Sequence, residues 1–133
     1  MGVVGTLLKN RRAGQARLAW NLPSLSGLDT LPVTSAGFAD GAAIPPALAP
    51  GALSARDPGA GVRVFRSSMG RGYTGPEPIK GHGPHRYVFQ VFALATPAVA
   101  DAAAGARLRP RALLAAVPGP VLGRGRLTGS YER

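Results

Sequence analysis

Residues 81–94 read GHGPHRYVFQVFAL, a loop rich in glycine and proline that runs directly into an aromatic and β-branched stretch. From Arg86 to Leu94, apolar side chains occupy both alternating sets of positions, as in a strand that is covered on each face. We therefore predict a central β-strand over 86–94. The preceding loop brings His82 and His85, the only two histidines of the chain, to the beginning of this strand.

Weaker patterns surround this strand. Residues 62–66 alternate apolar with basic side chains, which predicts a half-buried strand. Residues 110–117 begin with proline and are followed by Pro-Gly-Pro, as expected for a helix of about two turns. Residues 121–129 alternate loosely and predict a last strand, on which Arg124 and Arg126 share one face that we expect to meet solvent.

The 133 residues of the chain correspond to one domain. We divide it into a basic N-terminal arm, residues 1–36, and a domain over residues 37–133. Trp20 could anchor the arm on its own domain or dock it to a partner, and the first alternative is favoured. Residues 37–61 are rich in alanine, proline and glycine, and we expect them to be irregular.

Composition limits the classes of function. The chain has no cysteine, which excludes disulfides, thiolate zinc sites and cysteine nucleophiles. Sixteen Lys and Arg against six Asp and Glu give a net charge of +10, which favours anionic partners such as phosphate groups, nucleic acid or acidic proteins. No apolar run approaches the length of about 20 residues that spans a bilayer, and the N-terminus has no signal-peptide pattern. We expect a cytoplasmic protein without a transmembrane segment.

The two histidines allow several kinds of chemistry. A metal site would need a third ligand, and Glu77 is the only acidic residue nearby in the sequence. A nucleophilic triad would need an activated hydroxyl and an acidic partner, and no nucleophile-elbow motif is present. His85 acting alone as a general base stays open.

Anion binding is the alternative that the spacing favours. His85 and Tyr87 are two residues apart, so on a strand both side chains point to the same face. Imidazole, phenol and the backbone N–H groups of a glycine-rich loop are all hydrogen-bond donors. The same spacing is compatible with a purely structural role, in which His85 bonds a loop carbonyl and Tyr87 fills the core.

Residues 72–89, GYTGPEPIKGHGPHRYVF, resemble the second signature of the phosphatidylethanolamine-binding protein family, in its bacterial Raf kinase inhibitor-like (YbhB/YbcL-type) branch. Residues 37–45 resemble the opening of that domain, and residues 121–133 resemble its terminal strand. The resemblance implies an all-β, Greek-key-like β-sandwich with short helices. It also implies a non-enzymatic protein without a cofactor, whose shallow surface pocket takes a small anionic ligand or a phospholipid head group.

Carried over position by position, the resemblance assigns two pocket residues and four residues of the rim loop: His85, Tyr87, Gly75, Pro76, Glu77 and Pro78. Bacterial relatives commonly have cysteine where Glu77 stands. A carboxylate beside an anion pocket would repel the expected ligand.

The first signature of the family is missing. After Pro45 and Pro46 the family continues with Asn-x-Ser-Pro, Asp-Pro-Asp-x-Pro and His-Trp, and none of these motifs occurs here. We therefore expect a truncated domain with exposed strand edges. The N-terminal arm or a homodimer could complete it, or the chain is a degenerate fragment with no ligand. The alternative function is a basic interaction protein that binds an acidic partner or nucleic acid nonspecifically.

Overall fold

The computed structural model describes residues 14–48, 66–67, 70–71, 75–98 and 110–133. Strands β1 (Arg66–Ser67) and β2 (Gly70–Arg71) form a short antiparallel pair. Strands β3 (His85–Leu94) and β4 (Val121–Tyr131) form a long antiparallel pair. Helix α1 spans Pro110–Ala115.

The remaining regular structure consists of single 3-10 turns at Gln15–Arg17, Ala19–Asn21, Pro23–Leu25 and Pro46–Leu48. The predicted strand over 86–94, the last strand and the helix after Pro110 are confirmed. The strand predicted over 62–66 lies outside the described residues except for its last position. The fold is rich in strand and coil, as predicted. The sandwich and its Greek-key order stay predictions, and so does the central position of β3, which pairs only with β4 within the described residues.

The register of β3 and β4 gives the sheet two distinct faces. Pairing runs from His85 opposite Tyr131 to Ala93 opposite Gly123, with an irregularity before Leu94. Because side chains alternate along each strand, one face carries the arginines of β4 and the other its glycines. We call the first the arginine face, formed by Gln90, Phe92, Arg124 and Arg126. We call the second the glycine face, formed by Tyr87, Phe89, Gly123, Gly125, Leu127 and Gly129.

The N-terminal segment, residues 14–44, pairs with the edge of β4 that points away from β3. The Arg124 N–H donates to the Leu28 carbonyl at 2.9 Å, and the Leu31 N–H donates to the Arg124 carbonyl at 3.1 Å. Further along, the Ser130 N–H donates to Ala42 at 3.0 Å, and the Ile44 N–H donates to Ser130 at 2.7 Å. The backbone groups of Arg124 and Ser130 on this edge of β4 thereby have hydrogen-bond partners. The N-terminal arm thus does supply strand pairing, to the last strand of the chain.

On the arginine face, the 3-10 turns of the N-terminal segment pack through Trp20. Its ring lies 5.9 Å from that of Phe92, and its backbone N–H donates to the Gln90 side chain at 2.7 Å. The Arg124 guanidinium stacks over the same ring at 3.9 Å from its centroid, a cation–π contact. Trp20 therefore anchors the segment on its own domain, as the sequence favoured.

Arg124 corrects one prediction. Its side chain was expected to meet solvent, yet only 15% of it is exposed, because Trp20 covers it. The guanidinium donates to the Trp20 carbonyl at 2.9 Å, to the Leu25 carbonyl at 3.3 Å and to Asp29 at 2.7 Å. Arg126 is exposed as predicted, although its guanidinium lies 5.0 Å from the same ring. One arginine of the pair is thus a structural residue.

Two more arginines hold the beginning of the N-terminal segment. The Arg111 guanidinium donates to the Arg17 carbonyl. Arg86 donates to the Gln15 side-chain oxygen at 2.7 and 3.0 Å when that amide is oriented towards it. Both arginines stay exposed, and hydrogen bonds to neutral acceptors do not cancel their charge, so the net charge stays compatible with an anionic partner.

On the glycine face, the same segment lies directly against the strand backbone. A Cβ atom at Gly125 would overlap the Leu31 carbonyl, and one at Gly129 would lie 2.5 Å from the Ile44 side chain. At these two positions only glycine leaves room for the N-terminal segment. Among the described residues, the buried apolar side chains are Leu25, Ile44, Val117 and Leu127, so two of the four come from the N-terminal segment.

This packing makes Gly125 sensitive to the smallest substitution. We expect Gly125→Ala to lower the free energy of unfolding by about 1–3 kcal/mol, the usual cost of overpacking, measured by chemical denaturation. Gly14→Ala is the matched control: a Cβ at Gly14 meets nothing within 4 Å, and its effect should stay within about 0.5 kcal/mol. Equal stability of the two variants would contradict the packing described here.

Candidate anion-binding site at the beginning of β3

The loop before β3 is shaped by glycine and tied to the end of the chain. Gly81 and Gly83 have positive φ angles of 77° and 87°, a conformation that favours glycine. The Gly81 N–H donates to the Arg133 carbonyl at 3.2 Å, and the His82 N–H donates to Ile79 at 3.2 Å. The loop therefore lies beside the end of β4, next to the first residue of β3.

The two histidines of this loop are in contact. His82 Nδ1 lies 2.5 Å from His85 Nε2, and the ring centroids are 4.7 Å apart at an angle of 63°. A hydrogen bond between two imidazoles needs one N–H and one lone pair, so the tautomer of one ring determines that of the other. His82 is only 5% exposed. The buried His82 ring therefore orients the His85 ring through this contact. Sequence reasoning did not assign such a positioning role to His82.

His85 and Tyr87 share one face of the sheet. Both belong to β3, and they pair with Tyr131 and Gly129 of β4, which places them on the side of the glycine face. Tyr131 brings a second phenol opposite His85. Sequence reasoning missed it, because its relation to His85 depends on a register across residues distant in the chain.

The predicted rim residues differ in exposure. Gly75, Pro76 and Pro78 are buried, whereas Glu77 is exposed. The Glu77 carboxylate accepts a hydrogen bond from the Arg133 guanidinium at 2.9 Å, with both side chains close to half exposed. Such a surface pair adds little stability, but it offsets the negative charge that was expected to repel an anion.

The metal alternative gains no support from this geometry. Within residues 14–48, 75–98 and 110–133, no third histidine, aspartate or glutamate joins the two histidines in a group that could hold a metal ion. No helix in the described part of the chain has the length and apolar character needed to cross a membrane.

The comparison with protein families agrees with the resemblance of the loop. Residues 19–132 match the family model of the phosphatidylethanolamine-binding protein. The chain belongs to this family. The match to the phosphatidylethanolamine-binding protein family begins within the predicted arm, and the division of the chain at residue 36 stays a prediction.

Two curated archaeal proteins are similar to part of this family member. UPF0098 protein PH1269 of Pyrococcus horikoshii is 42% identical over 73 residues, which cover 51% of this chain and 33% of the relative. UPF0098 protein PYRAB11530 of Pyrococcus abyssi is 41% identical over 73 residues, which cover 51% of this chain and 36% of the relative. The chain thus spans about a third of the length of these relatives. No solved structure matches it.

The contact between the rings can be tested by nuclear magnetic resonance. In a long-range ¹H–¹⁵N correlation spectrum near pH 8, we expect His82 and His85 to show one protonated and one unprotonated nitrogen at the shared bond, because an imidazole pair requires both. His82→Asn should shift the ring signals of His85. A spectrum of His85 that is unchanged by this substitution would show that the rings do not interact.

Proposed function

We propose that this member of the phosphatidylethanolamine-binding protein family binds a small anionic ligand, a phosphate-like group or a phospholipid head group, at the beginning of β3. The observation that carries the proposal is the common face of His85 and Tyr87, with the His85 ring held by His82. Binding alone is proposed, without turnover, as the family resemblance of the loop implies.

The donors are supplied by the strand and the loop. We propose the tautomer in which His82 Nδ1 donates to His85 Nε2, so that His85 carries its proton on Nδ1. The anion would then accept one hydrogen bond from His85 Nδ1 and another from the Tyr87 hydroxyl. The glycine-rich loop that ends at Pro84 allows an anion to approach the backbone closely. The rim residues Gly75, Pro76, Glu77 and Pro78 would border this opening.

Arg133 offsets the charge of Glu77 at the rim. Its guanidinium is bound to the carboxylate, so the rim has little net charge. Replacing Glu77 by glutamine would release a cation towards the site. With the ion pair intact, we therefore expect the rim charges neither to prevent anion binding nor to strengthen it.

The expected affinity is low. Hydrogen bonds to a charged group contribute about 1.5–3 kcal/mol each, and the signature segment that would add further contacts is missing from the sequence. Two such donors correspond to a dissociation constant of about millimolar order. We infer two finer features, a truncated sandwich and a cytoplasmic location, from the sequence alone, and a homodimer is one of the alternatives that the sequence leaves open.

The proposal predicts specific stabilisation by phosphate. At ten times the dissociation constant, inorganic phosphate or phosphorylethanolamine should raise the free energy of unfolding by about 1.4 kcal/mol, measured by thermal denaturation against sodium chloride of equal ionic strength. His85→Ala and Tyr87→Phe should abolish the increase. Glu77→Gln should enlarge it.

Arg126→Ala is the matched control, since it removes a cation from the opposite face and should leave the increase unchanged. Stabilisation that is equal in the His85 and Tyr87 variants would refute the site. Binding to arbitrary DNA that weakens steeply with salt would favour the competing function, a nonspecific basic interaction protein.

A further inference from the structure

A cavity of about 310 Å³ lies on the glycine face, between the sheet and the chain that crosses it. Phe89 and Leu127 contribute from the two strands, and Phe38, Ile44 and Leu48 contribute from the covering chain. None of its lining residues is charged. Its volume lies at the lower end of the range for small-molecule sites.

The walls of this cavity are held in place. The Ile44 N–H is bonded to Ser130 at 2.7 Å, and the Phe38 ring packs against Phe89 at 6.1 Å. Leu48 lies so close to Gly37 that a Cβ there would be 2.6 Å from its methyl group. Because its walls are held in place, this open pocket keeps its shape and leaves apolar surface in contact with water. An apolar ligand that fills the pocket removes that surface from water.

The polar part of the lining is confined to two hydroxyl side chains, Thr34 and Ser35. Thr34 is exposed, so the mouth of the cavity lies beside it. A ligand that fits this arrangement has an apolar body for the interior and a small polar end for the mouth. The arrangement is separate in chemistry from the donors of His85 and Tyr87.

We propose that this cavity is a second binding site, which takes the unbranched aliphatic chain of a small molecule with a hydroxyl-sized polar end. A flexible chain adapts to walls made of two rings and several branched side chains at fixed positions. This site goes beyond the proposed anion-binding function and does not depend on it.

A series of 1-alkanols from butanol to decanol tests the proposal by isothermal titration calorimetry. Each added methylene should tighten binding about fourfold, the equivalent of about 0.8 kcal/mol per buried CH₂, until the chain fills the cavity. Beyond that length the affinity should stop rising. The heat-capacity change of binding should be negative.

Two substitutions should move the length at which the affinity stops rising. Val33→Phe takes space from the lining and should shift that length to a shorter alkanol. Leu48→Ala removes lining volume and should shift it to a longer one. Leu28→Phe is the matched control, since Leu28 belongs to the same segment, is 72% exposed and lies outside the cavity. It should bind like the unmodified protein.

Two results would overturn the proposal. An affinity that rises with chain length without limit, and equally in all variants, would mean nonspecific partitioning. Absence of alkanol binding, together with a dimer in sedimentation that Val33→Phe dissociates, would mean that a second copy of the chain covers the cavity. Since alkanols carry no charge, neither result bears on phosphate binding.

Discussion

Arg124 and the glycines on either side of it determine how the described part of this protein is held together. The Arg124 backbone bonds the N-terminal segment at the strand edge, and its guanidinium stacks on Trp20 on the arginine face. Gly123 and Gly125 admit the same segment on the glycine face. A single strand is therefore contacted on both faces and along its free edge by one continuous stretch of chain.

The candidate site depends on this arrangement. The register of β4 against β3 places Tyr131 opposite His85, and Arg133, two residues later, bonds the loop at Gly81 and Glu77. Fixing β4 therefore fixes the loop and the first residues of β3. A ligand site formed on such a support needs little ordering when it binds, which limits the entropic cost.

Local patterns were sufficient for β3, β4 and α1 and insufficient for what covers them. The dense apolar stretch after His85 identified β3, and proline followed by an alanine- and leucine-rich turn identified α1. Alternation showed that Arg124 and Arg126 share a face. It could not show that Trp20, about a hundred residues away in the sequence, covers the first and leaves the second exposed. Exposure depends on contacts between distant residues, which periodicity does not contain.

The candidate site was likewise predicted only where its geometry depends on local spacing. The spacing of His85 and Tyr87 predicted their common face, because a strand of known direction fixes it. The roles of His82, Tyr131 and Arg133 were not predicted, since each depends on a loop conformation or a strand register. The charge of Glu77 was read in isolation, and its pairing with Arg133 changes what that charge does to an anion.

Residue-resolved hydrogen exchange tests most directly whether the N-terminal segment is hydrogen-bonded to the edge of β4. The N–H groups of Arg124, Thr128 and Ser130 donate to Leu28, Asp40 and Ala42 of the N-terminal segment. If the segment closes this edge, these three amides are protected to a similar degree as the amides that face β3. Exchange of the three at the rate of an unfolded chain, with the amides facing β3 still protected, would contradict the account.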